Sequence, residues 1–135
     1  MDPRAKHAFL LLVAVQACHS IEEYAFALYE VFPVARFASG LVSGDHAVGF
    51  AILNSAFVAF GFWCYLVPIR SAWASARGWA WLWVIIELGN GLGHPALAAR
   101  AGGYFPGVAT APVLFVVAVY LARRLIRTRG SWAAA

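Results

Sequence analysis

His19, Glu22 and Glu23 stand together in the stretch CHSIEEYAF, residues 18–26. Imidazole and carboxylate side chains hold divalent metals and move protons near neutral pH. A second group, Glu87, Asn90 and His94, stands in ELGNGLGH, residues 87–94. The first three residues are spaced i, i+3, i+4 and the second three 0, 3, 7, so each group shares one helix face. Gln16 falls on the first face, and so does Glu30, three turns further on. Asn54 is the polar residue that a third segment adds. Gly89, Gly91 and Gly93 alternate with the second group, which lets a helix or a substrate come close.

These groups lie in an apolar chain. Of its 135 residues, 63% are hydrophobic and 12% charged, against roughly 25% charged in a soluble domain. The length suits one domain. The net charge of +4 is not arranged as a nucleic-acid patch, because Arg123, Arg124, Arg127 and Arg129 gather after an apolar run, as they do at the end of a spanning helix. No nucleic-acid partner is expected. Cys18 and Cys64 make neither a CxxC pair nor a zinc spacing, and free thiols are expected. Cys18 reads as a packing residue, although its place beside His19 leaves a ligand role open. Arg4 and Lys6, an apolar run and VQAC imitate a lipoprotein signal, but Gln16 fits that site poorly, so the segment reads as a retained membrane helix.

The elements that must position these residues are four helices of about 20 apolar residues each. The spacing of apolar and breaker residues places them at about 7–32, ending at Pro33, about 45–67, ending at Pro68, about 78–99, and about 106–126. The expected fold is all-α, an antiparallel bundle of four transmembrane helices. Arg4, Lys6, Arg70, Arg77 and the C-terminal arginines fall on one side, Arg36 and Arg100 on the other. Both termini are therefore expected in the cytoplasm, in a multi-pass protein of the inner membrane. Trp73, Trp79 and Trp81 fit an aromatic belt at the cytoplasmic interface.

Depth brings the polar residues together. At 1.5 Å per residue, Glu22 lies about 21 Å, Glu87 about 13 Å and His94 about 24 Å above the cytoplasmic side, with Asn54 at about 16 Å. A polar network that only glues helices is the bland alternative. Three carboxylates and two histidines exceed what adhesion needs, and ionisable residues at such depth are functional by default.

The motifs HSIEE (His19 to Glu23), ELGNGLGH (Glu87 to His94) and YFPGVATAP (Tyr104 to Pro112) occur in order. In them the chain resembles the small bacterial membrane proteins named for an H-x-x-E-E motif, the HXXEE domain. The resemblance covers most of the chain and supports fold and site, with no reaction attached. It adds Tyr104 and Thr110 as substrate-binding candidates at the outer mouth of the pocket.

Three functions fit. The first is a metal-dependent membrane enzyme with a divalent metal, iron or zinc, held among His19, Glu22, Glu23, Glu87 and His94. A glutamate not used as a ligand would serve as catalytic base, and Asn54 and Asn90 would bind a lipid or isoprenoid-like substrate. The second keeps Glu22, Glu23 and Glu87 as metal-free acid–base groups of an isomerase, cyclase or epoxide-opening enzyme. The third is a small proton-coupled transporter working as a homodimer.

Overall fold

The computed structural model describes residues 1–127; Arg129 of the basic cluster lies outside the described residues. Six α-helices and one π-helical turn account for most of the chain: α1 (Pro3–Ala25), α2 (Leu28–Val31), α3 (Pro33–Val42), α4 (His46–Cys64) running on through the π turn Tyr65–Ile69, α5 (Ala76–Ala101) and α6 (Ala111–Arg127). The fold is all-helical among the described residues.

Local chemistry sets the starts and stops. Asp2 caps α1 by accepting from the Ala5 amide at 3.1 Å, and Pro3 occupies the first turn, where no amide proton is needed. Asp45 caps α4 by accepting from the Ala47 and Val48 amides at 2.9 and 3.2 Å. Gly102 ends α5 in the left-handed region, φ 68°.

Four features differ from the expected ones. The first helix stops at Ala25, because Ala27 takes φ 54° and turns the chain; a residue with a Cβ stands there at a cost of about 1 kcal/mol. Glu30 therefore leaves the face of His19 and lies 3.9 Å from His46, at the exposed edge. Residues 33–42, expected to be a connection, form α3, with Pro33 starting a helix and not merely ending one. Pro68 does not stop the second helix; a π turn takes up its missing amide, with the Arg70 amide bonded to the Tyr65 carbonyl at 2.8 Å. The fourth helix begins at Ala111, later than expected, after a turn from Pro106 to Thr110.

The four long helices alternate in direction. α5 packs along α6, α6 along α1, and α1 along α4. Between α4 and α5 the contact is aromatic and sits toward one end, with Phe57 stacked on Trp83 at 4.7 Å and Phe60 and Trp63 edge-on to Trp79 at 5.8 Å. The apolar core lies in that half, around Phe9, Leu12, Val13, Trp83, Leu114 and Leu121. Polar ties close the same end: Lys6 donates to the Arg70 carbonyl, Arg124 pairs with Asp2 at 3.1 Å, and Arg77 donates to the Leu125 carbonyl. The opposite end holds α2, α3 and the turn of residues 102–110.

Among the described residues one helix, His46–Ile69, is long and apolar enough to cross a membrane. Cys18 is exposed on α1, Cys64 is buried, and both are free thiols.

Candidate metal centre

His19 and Glu23 are one turn apart on α1, and His94 reaches them from α5. Their ligating atoms lie within 4.8 Å of one another, and all three residues are buried. The Glu23 Oε1 stands 3.4 Å from His19 Nε2 and 3.3 Å from His94 Nε2. The two imidazoles meet edge to face, with centroids 4.6 Å apart.

The far nitrogens decide what the near ones can do. His94 Nδ1 lies 2.6 Å from the Pro106 carbonyl oxygen. A carbonyl only accepts, so Nδ1 carries the proton and donates. His19 Nδ1 lies 2.6 Å from Thr110 Oγ1, whose own hydroxyl donates to Glu22 Oε2 at 2.6 Å. The Thr110 oxygen is then an acceptor, and His19 Nδ1 is the donor. In the neutral imidazoles both Nε2 atoms are bare lone pairs aimed at a carboxylate oxygen. His19 Nε2 is buried without a hydrogen-bond partner. Three acceptors facing one another repel unless a cation lies between them. Two imidazoles tied through Nδ1, converging with one carboxylate, make the donor set of zinc sites and of 2-His-1-carboxylate iron sites.

Glu22 was expected beside Glu23 as ligand or base, but it points elsewhere. Neighbours on a helix face about 100° apart, and only Glu23 faces the histidines. Glu22 accepts from the Tyr104 hydroxyl at 2.5 Å, from the amides of Ala109 and Thr110 at 3.0 and 2.9 Å, and from Thr110 Oγ1. Burial, then the bond to Glu22 and its charge, push the Tyr104 hydroxyl up to about 12, so it stays a donor. Tyr104 and Thr110, expected at a substrate mouth, are the groups through which Glu22 pins the turn. The series Glu22, Thr110, His19 orients one imidazole as a carboxylate does directly in other metal sites. Replacing Glu22 by glutamine should leave Glu23 and both histidines in place while weakening metal binding about 10–100-fold. Metal titration of the purified variant checks this, and an effect as large as that of losing His19 would contradict it.

Glu87 is also outside the three-residue group. It is fully buried on α5 and accepts from Asn90 Nδ2 at 3.1 Å. With its amide nitrogen turned toward Glu87, Gln16 lies 2.8 and 3.2 Å from the two carboxylate oxygens. Ser20 Oγ lies 3.0 Å from the amides of both Gln16 and Asn54. A polar thread therefore runs from Asn90 through Glu87, Gln16 and Ser20 to Asn54, joining α5, α1 and α4. Gln16, read on the face of His19, and Asn54, read as a substrate-binding candidate, both belong to it. Ser20 was not foreseen, although it stands one turn after Gln16 on the same face. Cys18, one residue before His19, is exposed and takes no part.

Gly107, like Ser20, carries no metal-ligating group that would mark it in the sequence. Its φ is 91°, and a Cβ there would sit 2.5 Å from His94 Nδ1 and 2.7 Å from His19 Cε1. The backbone of the turn lies against both imidazoles where only glycine fits. The Pro106–Gly107 pair signals a turn, but not what the turn packs against.

A cavity of about 450 Å³ opens beside Glu23 and His94, with Gln16, Asn54 and Asn90 on its wall. Gly89 and Gly93 also face it, and nothing lies within 4 Å of a Cβ built on either. Gly91 instead receives α6, because a Cβ there would meet Phe115 at 2.7 Å. The alternating glycines thus serve both a neighbouring helix and an open space.

No curated protein and no solved structure matches the chain. A family model does, described as a protein of unknown function with HXXEE motif, over residues 10–122. That span takes in His19-x-x-Glu22-Glu23, the helix carrying Glu87 and His94, and the turn carrying Gly107 and Thr110, so the chain belongs to the HXXEE family.

Proposed function

We propose that the chain is a membrane-embedded, metal-dependent enzyme in which His19, Glu23 and His94 hold one divalent cation beside a cavity for a lipid or isoprenoid-like molecule. The observation that carries this reading is the convergence of two Nδ1-tied histidines and a carboxylate, with a buried His19 Nε2 that lacks any donor. Three protein ligands leave coordination positions for water or substrate, the pattern of catalytic zinc and not of closed structural sites. A cation so held polarises an oxygen of the substrate or sharpens a bound water as nucleophile. Around it the chain's own groups orient and exclude: Thr110 and Pro106 fix the imidazoles, and Gln16, Asn54 and Asn90 offer amides to the substrate's polar end. Glu87, bonded to two of those amides, positions them. A mononuclear site is favoured over a dinuclear one because Glu22 and Glu87 are committed to other partners.

The membrane reading has its own support. Each long helix presents large apolar side chains outward, among them Leu11 and Ile21, Phe62 and Leu66, Ile85 and Leu92, Val116 and Ile126. So much exposed apolar surface suits lipid and not water. α3 displays Val34, Phe37 and Leu41 at i, i+3, i+7, each more than 60% exposed, as a helix lying in the headgroup layer would. The basic end that joins Asp2, Lys6, Arg70 and Arg124 is assigned to the cytoplasm. A reporter fused after Arg127 should be active only if it is of the cytoplasmic kind, and activity of a periplasmic reporter would invert the arrangement.

The second reading places a proton between Glu23 and one histidine, giving a metal-free acid–base centre. The 3.3 Å and 3.4 Å contacts of Glu23 accommodate an imidazolium. Elemental analysis of protein purified without chelators separates the two: stoichiometric zinc or iron supports the first, and an active protein free of metal supports the second.

A further inference from the structure

The cavity beside the metal centre has a shape and a wall chemistry that narrow its ligand. It lies where α4 and α5 part. The aromatic contacts of Phe57, Phe60 and Trp63 with Trp79 and Trp83 hold the two helices together toward one end. Beyond that cluster the space between them is open, and α3 borders it with Ala35 and Ala38. The α5 side of the opening is glycine at two successive turns, Gly89 and Gly93, with free space where each Cβ would stand. The remaining wall is apolar, with Phe32, Phe50, Ile86 and Leu97, except where Gln16, Glu23, Asn54, Asn90 and His94 meet at its inner edge.

Among the described residues no lysine or arginine lines this space. A phosphate or carboxylate head would find there a carboxylate and three amides, with no fixed cationic side chain to balance it. A neutral oxygen-bearing head, such as an alcohol, ester or epoxide, suits amides and a cation already partly neutralised by Glu23. The volume falls in the range of small-molecule pockets, about 300–1,000 Å³, and is too small for a diacyl phospholipid. We propose that a neutral single-chain amphiphile enters sideways between α4 and α5, lays its chain along Gly89 and Gly93, and brings its polar head to Glu23 and His94. The polar end of this inference rests on the metal reading above; the portal and the chain's path do not.

The full chain in phosphatidylcholine nanodiscs is irradiated with dodecanol carrying a mid-chain diazirine, and labelled residues are mapped by mass spectrometry. Label should fall on Ile86, Leu97 and Phe57. In Gly89→Leu and Gly93→Leu, filling the portal should lower that labelling about tenfold, equivalent to about 1.4 kcal/mol of lost binding. Gly78→Ala, on α5 but outside the cavity wall and with nothing within 4 Å of the added atom, should leave label on Ile86 and Leu97, and helical circular dichroism of each variant guards against misfolding. Label confined to the outer apolar surfaces, or unchanged in both glycine variants, would overturn the portal. A second arm loads the protein with Co²⁺ and titrates it with dodecyl hydroxamate and with acetohydroxamate, reading the visible absorption. The glycine variants should weaken the long hydroxamate about tenfold relative to wild type while leaving the short one unchanged. An equal loss for both would overturn the chain's path. Protein that takes no Co²⁺ but shows the expected labelling sinks the metal reading and leaves the portal standing.

Discussion

His94→Ala should release the cation, and His19→Ala should do the same. Metal content should fall from about one ion per chain to background, with activity lost in parallel. The size follows from the ligand set. If three ligands share a binding free energy of about 10 kcal/mol, each is worth about 3–4 kcal/mol, several hundredfold in affinity. Neither substitution opens only the metal position. His94→Ala also strands the Pro106 carbonyl, and His19→Ala removes the donor to Thr110 Oγ1. Glu23→Gln is the cleaner companion, since it keeps the volume and removes one negative charge. It should lose metal as the alanine variants do, whereas Cys18→Ala, on the exposed face of the same helix, should keep it. Helical circular dichroism in detergent distinguishes metal loss from unfolding.

Gly107→Ala should be the most damaging single-methyl change in the turn. The new Cβ would overlap His94 Nδ1 and both Cε1 atoms at 2.5–2.7 Å, in a backbone at φ 91°. Overpacking costs about 1–3 kcal/mol, and a left-handed backbone for a residue with a Cβ adds about 1–2 kcal/mol. Neither imidazole can retreat, because each is tied through Nδ1. The expected result is loss of about 3 kcal/mol of stability, or survival of the fold with the histidines pushed apart and the metal site gone. Gly78→Ala, with nothing within 4 Å of the added atom, should be neutral or slightly stabilising in α5. Thermal melts of the three proteins, with and without added Zn²⁺, check this. A Gly107→Ala protein that melts like wild type and binds zinc like wild type would show that the turn does not press on the histidines.

Much of this centre was legible in residue types and spacing. The i, i+4 pair His19 and Glu23 had to share a face, and the depth of His94 put it at the same level, so the three residues that converge are among those singled out. The sequence could not choose between adjacent glutamates. A helix turns about 100° per residue, so Glu22 and Glu23 cannot both face the histidines, and which one does depends on how α1 is rotated against α5 and α6. Glu87 looked like a fourth ligand because its side chain faces inward. What it meets there is set by Gln16 and Asn90, a matter of packing that no spacing encodes. The break at Ala27 has no glycine or proline to announce it, so residue types alone extend the first helix to Phe32. α3 has a readable signal in Val34, Phe37 and Leu41, but Pro33 ends one helix as readily as it starts another. The π turn around Pro68 depends on α4 and α5 being held together beneath it, which is tertiary information.

The measurement that bears most directly on the account is metal analysis joined to X-ray absorption on protein taken from membranes without chelators. The account predicts one zinc or iron per chain, with a first shell containing two imidazole nitrogens and a carboxylate oxygen near 2.0–2.2 Å, and loss of that signal in His94→Ala. Folded, active protein that carries no stoichiometric metal and is indifferent to chelators would contradict it.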